Sequence, residues 1–101
     1  MPRPVRHEKH VRALFEEAWR ALQLRDGPRA RMLGEQLVNA GYSGGYEVLA
    51  AEARQRRDLP GAISILEEGV TGAPGVWPLW ELLGNYYSDA RRYPEALEAY
   101  E

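Results

Sequence analysis

The stretch WELLGNYYSDARRYPEALEAYE, Trp80 to Glu101, holds two apolar-periodic runs joined by a charged break. In the first run Trp80, Leu83, Gly84 and Tyr87 recur at steps of three and four, the spacing of one helical face. Pro94 opens the second run. Proline suits the first turn of a helix, where its missing N–H has no intrahelical partner to lose. The stretch therefore reads as two helices joined by a short turn.

The same arrangement recurs upstream. The triplet Pro-x-Ala occurs as Pro28-Arg29-Ala30, Pro60-Gly61-Ala62 and Pro94-Glu95-Ala96, spaced by 32 and 34 residues. AGYSGGY (Ala40–Tyr46) resembles APGVWPLW (Ala73–Trp80), with Tyr46 and Trp80 again 34 apart. A fixed period of this length marks an array of repeated supersecondary units. Tyr46, Leu49, Ala50 and Ala53 repeat the helical steps of the first run, and Ala62, Ile63, Ile65, Leu66 and Val70 those of the second. Helices are expected at about 8–24, 28–40, 44–57, 60–71, 77–90 and 94–101. No segment has the alternation or β-branched enrichment of a strand. Short connections make successive helices antiparallel neighbours.

Composition bounds the function. The 101 residues suit one small domain. With 45 % hydrophobic and 28 % charged residues the chain has the make-up of a globular protein rather than a disordered one. Apolar runs are far shorter than a bilayer span, and MPRPVRHEKH at the N-terminus has no apolar stretch of the secretory kind behind it. The absence of cysteine excludes disulfides and thiolate chemistry and fits a reducing compartment, so a cytoplasmic location is expected. Net charge is −2, too small to suggest nucleic-acid binding by itself. It is unevenly spread: residues 1–31 carry eight bases and four acids, net +4, and residues 67–101 two bases and seven acids, net −5.

Trp80, Leu83-Gly84, Tyr87, Ala96 and Tyr100 stand in the order and spacing of the tetratricopeptide repeat, which this third unit closely resembles. The second unit matches more loosely, through Tyr46, Leu49-Ala50, Ala53, Ala62, Leu66, Gly69 and Pro74. The first is degenerate: Leu14, Ala18, Ala21, Ala30 and Leu37 fit, but Glu17, Gly34 and Tyr42 replace the usual leucine, aromatic and proline. The resemblance implies an all-α fold, a right-handed α-α superhelix of about three antiparallel helix-turn-helix repeats, the last one truncated. A basic N-terminal extension, 1–10, precedes the repeat domain 11–101, with units at about 11–42, 43–76 and 77–101. Small residues at Ala50 and Gly84 would let helices approach, while Tyr46, Trp80, Tyr87 and Tyr100 would fill the space between them. The second helix of the last unit stops at Glu101 without a polar cap. Leu97, Ala99 and Tyr100 are thus expected to form an apolar edge, covered by a second copy or by further sequence.

The resemblance also implies a non-catalytic scaffold or adaptor that binds a peptide or partner protein through a concave face lined by the first helix of each pair. On that face the candidates are Phe15 and Trp19 in the first unit, Glu47, Arg54 and Gln55 in the second, and Glu81, Asn85 and Asp89 in the third. Phe15 and Trp19, one turn apart, would anchor an apolar or aromatic side chain. A register shifted by one residue instead puts Phe15 in the core, and both readings stand. The acidic residues equally suit a solvated helix face. Some relatives clamp a peptide carboxylate with cations on these helices; here the comparable places hold Phe15, Trp19, Val48, Pro78 and Leu82, so no clamp is expected.

Three other readings compete with this one. His7 and His10 in HEKH are three apart, not four as in zincin helices, and no third ligand is evident, so no metal, cofactor or hydrolytic site is expected. RQRR (Arg54–Arg57) would meet phosphate, but Arg56 and Arg57, like Arg91 and Arg92, also fit the last turn of a helix, where cations favour the dipole. No nucleic-acid or membrane partner is expected. Self-association into a homo-oligomer is the strongest alternative, either head to tail between the basic first third and the acidic last third, or as a dimer through the last helix.

Overall fold

The computed structural model describes residues 5–101, with side chains from Lys9 onward. Six helices follow one another: α1 (Val5–Gln23), α2 (Gly27–Asn39), α3 (Gly44–Gln55), α4 (Leu59–Gly72), α5 (Trp77–Asp89) and α6 (Tyr93–Tyr100). Among the described residues there is no strand. The helices were legible to within a few residues. The first begins at Val5, so the basic stretch expected as a separate extension is helical from residue 5, while residues 1–4 lie outside the described part.

One turn recurs three times. Arg25, Arg57 and Arg91 adopt left-handed backbone, with φ of 60°, 64° and 62°. The residue after each reaches back to close the preceding helix: Asp26 N–H donates to the Ala21 carbonyl at 2.8 Å, Asp58 to Ala53 at 2.9 Å and Arg92 to Tyr87 at 2.8 Å. This is the Schellman closure, usually built on glycine. The closing residue then caps the next helix. Asp26 accepts from Arg29 N–H (3.2 Å) and Asp58 from Gly61 N–H (2.9 Å), satisfying amides that the helix cannot. Pro28, Pro60 and Pro94 sit at the second helical position. Arg92 makes no such cap; its guanidinium pairs with Glu95 (2.7 Å) and lies over the Tyr87 ring at 4.7 Å. Arg56, Arg57, Arg91 and Arg92 thus all lie beyond the helix ends rather than in the last helical turns expected for them.

A left-handed non-glycine residue costs about 1 kcal/mol or more. Arg57 makes no side-chain hydrogen bond or ion pair among the described residues, so its replacement isolates that strain. Arg57→Gly is expected to raise the unfolding free energy by about 0.5–1 kcal/mol, seen as a higher urea midpoint at unchanged slope. An unchanged or lower midpoint would show that the turn is unstrained.

Each helix packs on the one before and the one after it. In addition α1 meets α3 and α3 meets α5, whereas α2, α4 and α6 do not touch one another. The first helices of the three pairs therefore form a continuous row. The result is a slab of 42 × 34 × 16 Å. Two clusters make the core. One centres on Leu33, Leu37 and Val48, the other on Ile63, Leu66, Leu79 and Leu83.

Tyr87 is buried, as expected, and its hydroxyl donates to Glu67 at 2.6 Å. Burial, then the bond to Glu67, push its pKa up to about 12. Trp80 is half-buried and donates its indole N–H to the Pro74 carbonyl at 2.8 Å. Tyr100 departs from the expected filling role. Its ring covers Gly84, yet it remains 48 % exposed, because among the described residues no element packs on its other side. The expected edge is likewise revised. Ala99 is buried against the core that α5 helps to build, while Leu97 and Tyr100 are joined on the surface by Tyr93.

Glu52 was not anticipated. It is 1 % exposed, and its Oε2 accepts from Arg31 Nη1 (2.9 Å) and Arg56 Nε (2.8 Å), tying α3 to α2. Among the described residues no helix is long and apolar enough to cross a membrane.

Candidate functional site

The face to consider is the one carried by the row α1, α3 and α5. Arg54 near the end of α3 and Asp89 at the end of α5 come together at 2.6 Å. The Arg54 guanidinium also lies 4.8 Å from the centroid of the Tyr86 ring. The cation assigned to this face is therefore already neutralised and stacked, and is not free for a ligand carboxylate. Asp89 is engaged by the same pair.

Glu47 stands one turn into α3, half-buried, with no ion-pair partner among the described residues. Burial pushes its pKa up. Tyr86 is raised as well, first by burial, against the opposing effect of Arg54, with Asp89 and Glu47 adding to it. Glu47, Tyr86, Arg54 and Asp89 thus form one electrostatic group across α3 and α5. Glu81 is exposed on α5 and also lacks an ion-pair partner among the described residues.

The remaining expected residues scatter. Phe15 and Trp19 do meet, edge to face, with ring centroids 5.9 Å apart. Both pack on the first core cluster, and Phe15 also meets Tyr42 at 5.3 Å. They are half-buried, so the pair serves packing and surface together, and each of the two registers captured part of it. Gln55 is a strut: its Nε2 donates to the Leu22 carbonyl at 3.0 Å, tying α3 to the end of α1. The Asn85 side-chain oxygen accepts from the Tyr100 hydroxyl and so faces α6. Sequence reasoning missed Tyr86 and Tyr42. Tyr86 follows Leu79 and Leu83 at steps of four and three, which marked it as inward-facing.

In RQRR, Arg54 is held by Asp89, Arg56 by Glu52 and, at 3.8 Å, by Asp58, and Arg57 shapes a turn. His10 is exposed, the side chain of His7 lies outside the described residues, and no cluster of three metal-ligating side chains occurs among the described ones.

An ionised Glu47 opposes folding. A carboxyl whose folded pKa is raised adds stability below its unfolded pKa, near 4.5, and loses it as pH rises through the folded value. Glu47→Gln is therefore expected to raise the melting temperature at pH 7 and to change it less at pH 3. Equal shifts at both pH values would show that charge is not the cause.

Neither a protein-family model, nor a curated protein, nor a solved structure matches this chain.

Proposed function

We propose that the chain is a tetratricopeptide-like interaction module, a non-catalytic scaffold working in the cytoplasm, whose α1/α3/α5 face binds a peptide or partner protein. The observation that supports this reading is the threefold turn at Arg25, Arg57 and Arg91, which closes three like helix pairs, together with the contacts of α1 with α3 and of α3 with α5. On this reading the helices stack as a right-handed superhelix, with that row on its concave side. Recognition uses shape, apolar contact and charge, with no cofactor, metal, nucleic acid or membrane taking part.

The unpaired carboxylates narrow the ligand. Of the charged residues expected on this face, Arg54 and Asp89 satisfy each other, and Glu47 and Glu81 have no ion-pair partner among the described residues. A peptide with a lysine or arginine for Glu47 and an apolar side chain for Phe15 and Trp19 fits the α1 and α3 parts of the face.

Calorimetry against a panel of peptides varying in basic and apolar content tests this. Peptides combining both should bind, and Glu47→Gln should weaken them about tenfold while stabilising the free protein. Tightest binding by acidic peptides, or indifference to Glu47, would overturn the assignment.

A further inference from the structure

The second helices α2 and α4 do not touch one another. Between them lies a cleft of about 310 Å³, floored by Tyr46 and Leu49 of α3. It is built from three helices that each have a helix packed before and after them in the chain. Two glycines seat the floor. Gly34 of α2 lies against Leu49 and Gly69 of α4 against Tyr46, so closely that a Cβ at either would stand within 2.8 and 2.9 Å of the side chain. Val38 of α2 and Ile65 of α4 extend the apolar lining, and all four lining residues are half-buried. Each wall also carries an exposed carboxylate, Glu35 on α2 and Glu68 on α4. Neither has an ion-pair partner among the described residues, and no cationic side chain lines the cleft.

The backbone adds to this charge. Both helices bring their C-terminal halves to the start of α3, where Val38 lies at Gly45 and Gly69 at Tyr46. A helix C-terminus is partially negative, and a basic residue in its last turn offsets this. Neither α2 nor α4 has one. Glu35 and Glu68 instead stand about one turn before each end, where a lysine or arginine would be the stabilising choice.

We propose that the cleft binds a small aliphatic dication, an alkyl chain with an ammonium or guanidinium group at each end. The apolar floor takes the chain and the two walls take the charges, the usual division of a ligand site into an apolar lining and a few placed polar groups. The alternatives fit less well. An anion is opposed by both carboxylates and both helix ends. A bare hard metal ion needs about six oxygen ligands, whereas the floor here is hydrocarbon. A single basic side chain from a protein leaves one of the two carboxylates unpaired.

The test titrates the 101-residue chain with diaminopentane and follows its amide chemical shifts. Saturable shifts are expected at Tyr46, Leu49 and Ile65, weakening as salt is added. Pentylamine, with one charge, should bind about threefold less tightly or worse, and pentanol, with none, more weakly still. The double variant Glu35→Gln/Glu68→Gln alters only exposed residues, so the fold is kept, as circular dichroism will check. Its dissociation constant for diaminopentane should rise about tenfold. No shifts at the cleft floor, equal binding of pentylamine and diaminopentane, or undiminished binding by the double variant overturns the proposal. Tighter binding of a lysine-containing peptide than of diaminopentane at the same floor residues also overturns it, since the occupant is then a protein side chain. Glu47→Gln, on the row of first helices, should leave diaminopentane binding unchanged, which separates this site from the peptide site proposed above.

Discussion

Gly45→Ala is expected to lower the unfolding free energy by about 2 kcal/mol, one of the two largest losses among the substitutions considered. Gly45 is buried in the first turn of α3, where it crosses α2. A Cβ there would stand 2.7 Å from the Gly34 carbonyl oxygen and 2.8 Å from the Val38 amide nitrogen. Both are backbone atoms of α2, so no rotamer change relieves the clash and the two helices must separate. Alanine's helix propensity, better by about 1 kcal/mol, offsets only part of this. Gly34 provides the control. A Cβ at Gly34 would approach Leu49 Cδ2 at 2.8 Å and Cγ at 2.9 Å, atoms of a side chain that can shift where a backbone cannot. Gly34→Ala should therefore cost clearly less. Urea denaturation of the two variants checks the order, and equal losses would show that the α2–α3 contact is looser than the structure has it.

The second large effect concerns Glu52. Removing both Arg31 and Arg56 leaves its carboxylate buried with no cation, which typically costs about 3–5 kcal/mol. The single changes should each cost less, because the other arginine remains, and the double loss should exceed their sum. Glu52→Leu is the informative partner. Glu52 occupies the α2-facing stripe with Gly45, Val48 and Leu49, its Oε1 has no hydrogen-bond partner among the described residues, and both arginines are 41–48 % exposed and can return to water. Leucine there should be near neutral, and in the Arg31→Ala/Arg56→Ala background it should recover most of the lost stability. Denaturation of the triple variant tests this. If it is no more stable than the double variant, the arginines contribute packing rather than charge.

The helices and their pairing were legible because apolar steps of three and four, and the prolines that open second helices, are local signals. The turns were not. Arginine at Arg57 or Arg91 looks like an ordinary residue of a last helical turn, whereas glycine would have announced the left-handed bend. Gly41, with φ of 81°, does so after α2. The site was legible only in part, since exposure on a helix face follows from periodicity but partnership between helices does not. Arg54 and Asp89 were both placed on the face, yet their pairing depends on how α3 lies against α5. Gln55 and Asn85 face outward by periodicity and are claimed by Leu22 and Tyr100. Glu52 breaks the apolar stripe, and its reason, the arginines of α2 and of the following turn, lies outside its own helix.

The central claim is that the row of first helices is the binding surface. Its most direct test is amide chemical-shift mapping of the chain titrated with a peptide that pairs a basic with an apolar side chain. The account predicts that perturbations concentrate on α1, α3 and α5, around Trp19, Glu47 and Tyr86, and that Glu47→Gln reduces them. Perturbations confined to α2, α4 and α6, with the Glu47 and Tyr86 amides unmoved at saturation, would contradict it.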